Sequence, residues 1–137
     1  MGSNQAVVDD FRTAMESNDI RELSRVMREH STDDYVQEWP QSGERIVGRE
    51  AAIKLDEGYE QATGTMPSMT FRRAIGAGDI YVVEGTIDYG DGTPVSYVGV
   101  AEFRDGKIAK ITEYFANPFP APEWRAGLVE RMGPVGV

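Results

Sequence analysis

The chain has 137 residues, 40% hydrophobic and 27% charged, with a net charge of −9 and a pI near 4.6. It has no cysteine and one histidine, His30, which excludes disulfides, thiolate nucleophiles and multi-histidine metal centres. The acidic balance argues against nucleic acid as a partner, and no apolar run approaches the roughly 18 residues of a membrane span.

From Ala6 to Ser17, Val7, Phe11, Ala14 and Met15 recur at helical spacing. Asn18-Asp19 interrupts the pattern, and Asp19 with Glu22 three positions on predicts a capping box for a second helix. Its apolar stripe is Ile20, Leu23, Val26 and Met27, and the short link predicts a helical hairpin. Ser31 to Asp34 reads as a turn. Tyr35-Val-Gln-Glu-Trp39 reads as a short strand ended by Pro40, and Arg45-Ile-Val as another extended piece. A third helix is expected from Arg49 to Ala62, with Ala52, Leu55, Tyr59 and Ala62 on one face and Gly64 as its stop.

Four strands follow, over Met69–Ile75, Ile80–Tyr89, Val95–Phe103 and Lys107–Ala116. The Asp- and Gly-rich turns between them are strong hairpin signals. The tail carries Pro118, Pro120 and Pro122, then a predicted short helix with Trp124, Leu128 and Met132 on one stripe and Gly133 as a stop. That stripe is expected to pack, with a lid over a pocket as the second option. Helices first and a meander last predict one α+β domain over residues 1–137. The N-terminus lacks the basic-then-apolar order of a signal peptide, so a cytoplasmic protein is expected.

Strict alternation puts Lys107, Ala109, Ile111, Glu113 and Phe115 on one face of the last strand, and Tyr97, Gly99, Ala101 and Phe103 on one face of the strand before it. A carboxyl between Ile111 and Phe115 requires a partner or a chemical role. In the functional reading Glu113 is an acid/base group with Tyr97 donating to it, and the small Gly99 and Ala101 leave room for a cavity. In the structural reading Glu113 is tied to Arg45, Arg72 or Arg73. On the first strand Tyr35, Gln37 and Trp39 share a face. Trp39 either walls a pocket for a ring-shaped ligand or simply closes the core. His30 reads as a partner for a helix C-terminus or as a surface residue, and Asp33-Asp34 as the start of a strand.

The hairpin ending Asn18-Asp-Ile20, the strand end Glu38-Trp-Pro40, the helix entry Gly48-Arg-Glu-Ala51 and the ending Asp105-Gly-Lys-Ile108 to Glu113-Tyr-Phe115, in this order, resemble the SnoaL-like branch of the nuclear transport factor 2-like superfamily. The resemblance implies a cone: a curved, mostly antiparallel sheet wrapped around three helices from the N-terminal half, with a short C-terminal helix. It implies a pocket for a small apolar or aromatic molecule, lined by Phe11, Tyr35, Gln37, Trp39, Ile111 and Phe115, and a homodimer formed through the sheet. No cofactor, metal or membrane is expected. The family's ketosteroid isomerases use a tyrosine and two acids at positions that look like Phe11, Trp39 and Gly99 here, so steroid isomerisation is not implied. Acid/base chemistry at Glu113, of cyclase, isomerase or dehydratase type, and non-catalytic binding or interaction both remain open.

Overall fold

The computed structural model describes residues 2–133, in the order α1 (Gly2–Glu16), α2 (Ile20–His30), β1 (Ser31–Trp39), β2 (Glu44–Val47), α3 (Arg49–Thr63), β3 (Ser68–Ala77), β4 (Ile80–Asp88), β5 (Pro94–Arg104), β6 (Lys107–Ala116) and a 3₁₀ turn (Glu123–Leu128). The strands form one open, six-stranded sheet in the order β2-β1-β6-β5-β4-β3. All neighbours are antiparallel except β1 and β6, which run parallel. The expected α+β cone with helices on its concave side is the fold found.

The helical hairpin forms as its caps dictate. Asn18 takes a left-handed φ of 57°, and the Asp19 side chain accepts from the Arg21 amide at the start of α2. The reciprocal half of the predicted capping box is absent, because Glu22 instead binds Arg25 at 3.1 Å. Val7, Val8, Phe11 and Ala14 of α1 and Val26 and Met27 of α2 pack with Ala52 and Ile53 of α3. Beneath them lie Tyr35, Tyr81, Ala101, Phe103 and Ile108 of the sheet. Burying each large apolar side chain stabilises the fold by about 1.5–3 kcal/mol.

Ser31 to Asp34, read from sequence as a turn, is the first part of β1. Its polar residues find partners that local propensity does not anticipate. The Ser31 hydroxyl donates to the Met27 carbonyl, Asp33 pairs with Arg49 at 2.8 Å, and Asp34 pairs with Arg104 at 2.5 Å. Ser31 itself pairs with Ile108 in the parallel ladder, so tertiary pairing overrides turn preference.

Two bulges shape the sheet. On β3 the register shifts between Phe71 and Arg73, which lets both Arg72 (3.2 Å) and Arg73 (2.5 Å) reach Glu84 on β4. Gly85 lies opposite this bulge, where a Cβ would collide with the Thr70 carbonyl oxygen. On β6 the pairing moves from Phe103–Ile108 to Glu102–Lys110, leaving Ala109 as the extra residue. This corrects the strict alternation. Ile108, 2% exposed, faces the core, whereas Lys107 is exposed and does not share the inner face with Ile111, Glu113 and Phe115.

The tail also departs from expectation. Its helix is a six-residue 3₁₀ turn without a buried residue, and Trp124, Leu128 and Met132 are 79%, 83% and 86% exposed. Six residues after three prolines are too few to nucleate a stable helix, and no face among the described residues covers them.

Candidate functional site

Between the helices and the concave face of the sheet lies a cavity of about 600 Å³. Phe11, Tyr35, Gln37, Trp39, Tyr97, Ile111, Glu113 and Phe115 all line it. Three strands aim side chains at one point. Parallel pairing of β1 with β6 sets Gln37 beside Ile111, and antiparallel pairing of β5 with β6 sets Gly99 beside Glu113 and Tyr97 beside Phe115.

Glu113 is 8% exposed, and its carboxyl is held by three neutral donors. Oε1 accepts from Gln37 Nε2 at 2.7 Å and Trp39 Nε1 at 2.8 Å, and Oε2 accepts from the Tyr97 hydroxyl at 2.5 Å. Tyr35 donates to Gln37 Oε1 at 2.7 Å, which orients the amide so that its NH₂ meets the carboxyl. Gln41 Nε2 holds the Glu113 backbone carbonyl at 3.2 Å. An ionised carboxyl only accepts, and every side-chain partner here donates. Burial, with the Glu113 charge beside them, pushes the Tyr35 and Tyr97 hydroxyls well above the usual tyrosine range, so both remain neutral donors.

None of the arginines proposed as a structural partner reaches Glu113. Arg45 binds Glu38 at 2.7 Å on the outer side of β1, and Arg72 and Arg73 bind Glu84. Trp39 both walls the cavity and anchors the carboxyl. Gly99 has a use other than leaving empty space: a Cβ there would lie 2.5 Å from the Tyr97 hydroxyl oxygen. The missing side chain lets the Tyr97 ring lean across β5 to Glu113.

The structure adds a residue that the sequence reading passed over. The inner face of α3 carries Ala52, Ile53, Asp56 and Tyr59, while Ala62 is exposed and Leu55 is 40% exposed at the cavity. Asp56 lines the cavity with no side-chain hydrogen bond or ion pair among the described residues. Burial, then the negative charges of Glu113 and Glu57, raise its pKa from 3.8 to about 7. The available signal was its spacing, three residues after Ile53 and three before Tyr59.

A family is now identifiable from this geometry and from the sequence together. Residues 8–111 match the SnoaL-like domain. The chain belongs to the SnoaL-like family. An NTF-2-like protein of unknown function from Burkholderia xenovorans LB400 is 31% identical and superposes with a TM-score of 0.77, with 96% of each chain covered. A candidate ketosteroid isomerase from Kribbella flavida is 22% identical with a TM-score of 0.78, covering 96% of this chain and 90% of its own. An LEH-like epoxide hydrolase from M. tuberculosis is 22% identical with a TM-score of 0.62, covering 82% of each chain. The latter two likenesses concern the fold alone. No curated protein matches this SnoaL-like chain.

Asp10, Glu29 and His30 also cluster, where α1 meets α2. Arg25 already bridges Asp10 (3.6 Å) and Glu29 (3.0 Å), and His30 Nε2 lies 2.9 Å from Asp10 Oδ2. This is an ion-pair network linking two helices. His30 therefore serves the hairpin by joining a carboxylate on the other helix. No helix among the described residues is long and apolar enough to cross a membrane.

Proposed function

We propose that this SnoaL-like protein is an acid/base catalyst acting on a small, mostly apolar cyclic or polyketide-like molecule bound in the cavity. The observation that carries the reading is a carboxylate on an apolar wall with three neutral donors and no cation on it. A counterion would lock Glu113 into a structural role. Gln37, Trp39 and Tyr97 instead fix its position and leave its net charge available to a substrate. In this scheme Glu113 accepts a proton from a carbon next to a carbonyl group and returns it to a second atom of the same molecule. That is the shared step of isomerisation, dehydration and aldol-type cyclisation. Tyr97 orients the carboxyl and stabilises its charge before the first transfer and after the second. Phe11, Tyr35, Trp39, Ile111 and Phe115 shape the apolar walls and exclude water.

The test is deuterium wash-in from D₂O into a panel of cyclic ketones and 1,3-diketones, followed by NMR. The wild type should accelerate exchange, and Glu113→Gln should lose about 10²–10⁴ of that acceleration. No acceleration over buffer, or equal rates in the variant, overturns catalysis. The second reading, a binding module without turnover, is supported by Phe11, Trp39 and Gly99 standing where the isomerases have catalytic groups. Ligand binding without exchange favours it.

We also propose a homodimer formed through the outer face of the sheet, which carries exposed Val82 and Tyr114. Light scattering at micromolar concentration should give twice the chain mass of 15.2 kDa, and a monomer would refute it.

A further inference from the structure

Charge at the cavity wall is one-sided. Asp19, Glu44, Asp56 and Glu113 all line it, and among the described residues no lysine, arginine or histidine does. Asp19 is engaged by Arg21 and Glu113 by its three donors. Asp56 has no partner of either kind among the described residues. It projects from α3 into a space that also holds the rings of Trp39, Tyr59 and Tyr89. A half-buried carboxyl with no protein donor keeps part of its desolvation cost, and a cation beside it offsets that cost. Aromatic rings add attraction for the same cation when water is excluded.

Resting on the pocket reading above, we infer that the ligand is a ring-sized apolar molecule bearing a basic amine, bound as its ammonium ion against Asp56. The arrangement divides the work between two acids. Glu113 is held in position by protein donors and faces the reacting part of the molecule. Asp56, across the cavity on α3, recognises its charge. An anionic ligand meets four carboxyls and no cation, so carboxylates and phosphates are rejected. The titratable groups facing Asp56 are Glu113 from β6, Tyr35 from β1, Tyr97 from β5 and Glu57 on its own helix. Glu113 and Glu57 carry negative charge and strengthen the preference for a cation, while the tyrosines stay neutral and none of the four is a cation.

The pH dependence follows in sign. Binding an ammonium requires ionised Asp56. Burial and the Glu113 charge push its pKa up to about 7, far below that of a typical aliphatic amine. Amine affinity should therefore rise as pH goes from 6 to 8 by about tenfold and level off above, while a neutral analogue stays flat.

The experiment is calorimetric titration of the full chain with three matched probes: aminotetralin, tetralol and tetralin carboxylate. The expected order is amine first, alcohol at least about tenfold weaker, and carboxylate undetectable. Asp56→Asn should bring the amine down to the alcohol's affinity and abolish its pH dependence. Alcohol and amine binding equally, or an amine preference that survives Asp56→Asn, overturns the inference while leaving the pocket standing. If none of the probes binds, both the inference and the pocket reading fail. Because binding is measured without turnover, loss of the proposed catalysis alone does not affect the outcome.

Discussion

The two faces of the sheet treat the same side chain in opposite ways. On the outer face, Glu38 is gripped by Arg45 at 2.7 Å and Lys110 at 2.9 Å, and Glu84 by Arg72 and Arg73. The cations beside Glu38 hold its pKa below the usual carboxylate range, as they do for Glu84. On the inner face, Glu113 has hydrogen-bond donors and no cation among the described residues, and Asp56 opposite has neither among them. The outer pairs are neutralised in place and are complete without a ligand. The inner groups are arranged around a space, and their charge is not cancelled by the protein. That difference separates structural carboxylates from candidate functional ones more clearly than residue type or strand position.

The contrast is broken most strongly at Glu113. Glu113→Ala orphans three donors around a cavity and should cost about 3–5 kcal/mol in denaturant unfolding. A cost below about 1 kcal/mol would mean the network holds nothing together. Asp56 comes next and has the opposite sign. An acid whose folded-state pKa is raised from 3.8 to about 7 adds no penalty below pH 3.8, where it is protonated in both states. The penalty builds up as pH climbs from about 4 through 7 and is complete above it. Stability should therefore fall by up to about 4 kcal/mol between pH 4 and pH 8 from this group alone. Asp56→Asn should flatten that slope and be the more stable protein at pH 8. Tyr97→Phe removes one donor to a charged acceptor and should cost about 1.5–3 kcal/mol. Arg45→Ala on the outer face should cost less than about 1 kcal/mol, with the difference from wild type shrinking in 1 M salt. If the outer pair proved as costly as Glu113, the distinction between the faces would collapse.

Much of this was legible in the chain. Helical periodicity located α1, α2 and α3, and the Asp- and Gly-rich turns located β3 to β6 to within two residues. The inner register of β5, with Tyr97, Gly99, Ala101 and Phe103 together, is the one alternation gives. The start of β6 was hidden because a bulge at Ala109 reverses the phase, and no residue there announces one. Ser31 to Asp34 looked like a turn because its strand character comes from pairing with β6 and from Arg49 and Arg104, far away in sequence. The grouping of Gln37 and Trp39 around Glu113 depends on the parallel β1–β6 contact, which local patterns cannot encode. Asp56 was missed for a simpler reason. An acid on an amphipathic helix ordinarily marks the solvent side, and only the cavity shows that it faces inward.

The account turns on one cavity holding a carboxylate fixed by donors and a second carboxyl left without any. Carbon-detected NMR titration of aspartate and glutamate carboxyl groups, assigned through Asp56→Asn and Glu113→Gln, reads this directly. The account predicts that the Asp56 signal titrates near pH 7 in the ligand-free protein. It also predicts that the midpoint shifts down on addition of aminotetralin and not of tetralol. An Asp56 midpoint near 4, unmoved by either probe, would contradict it.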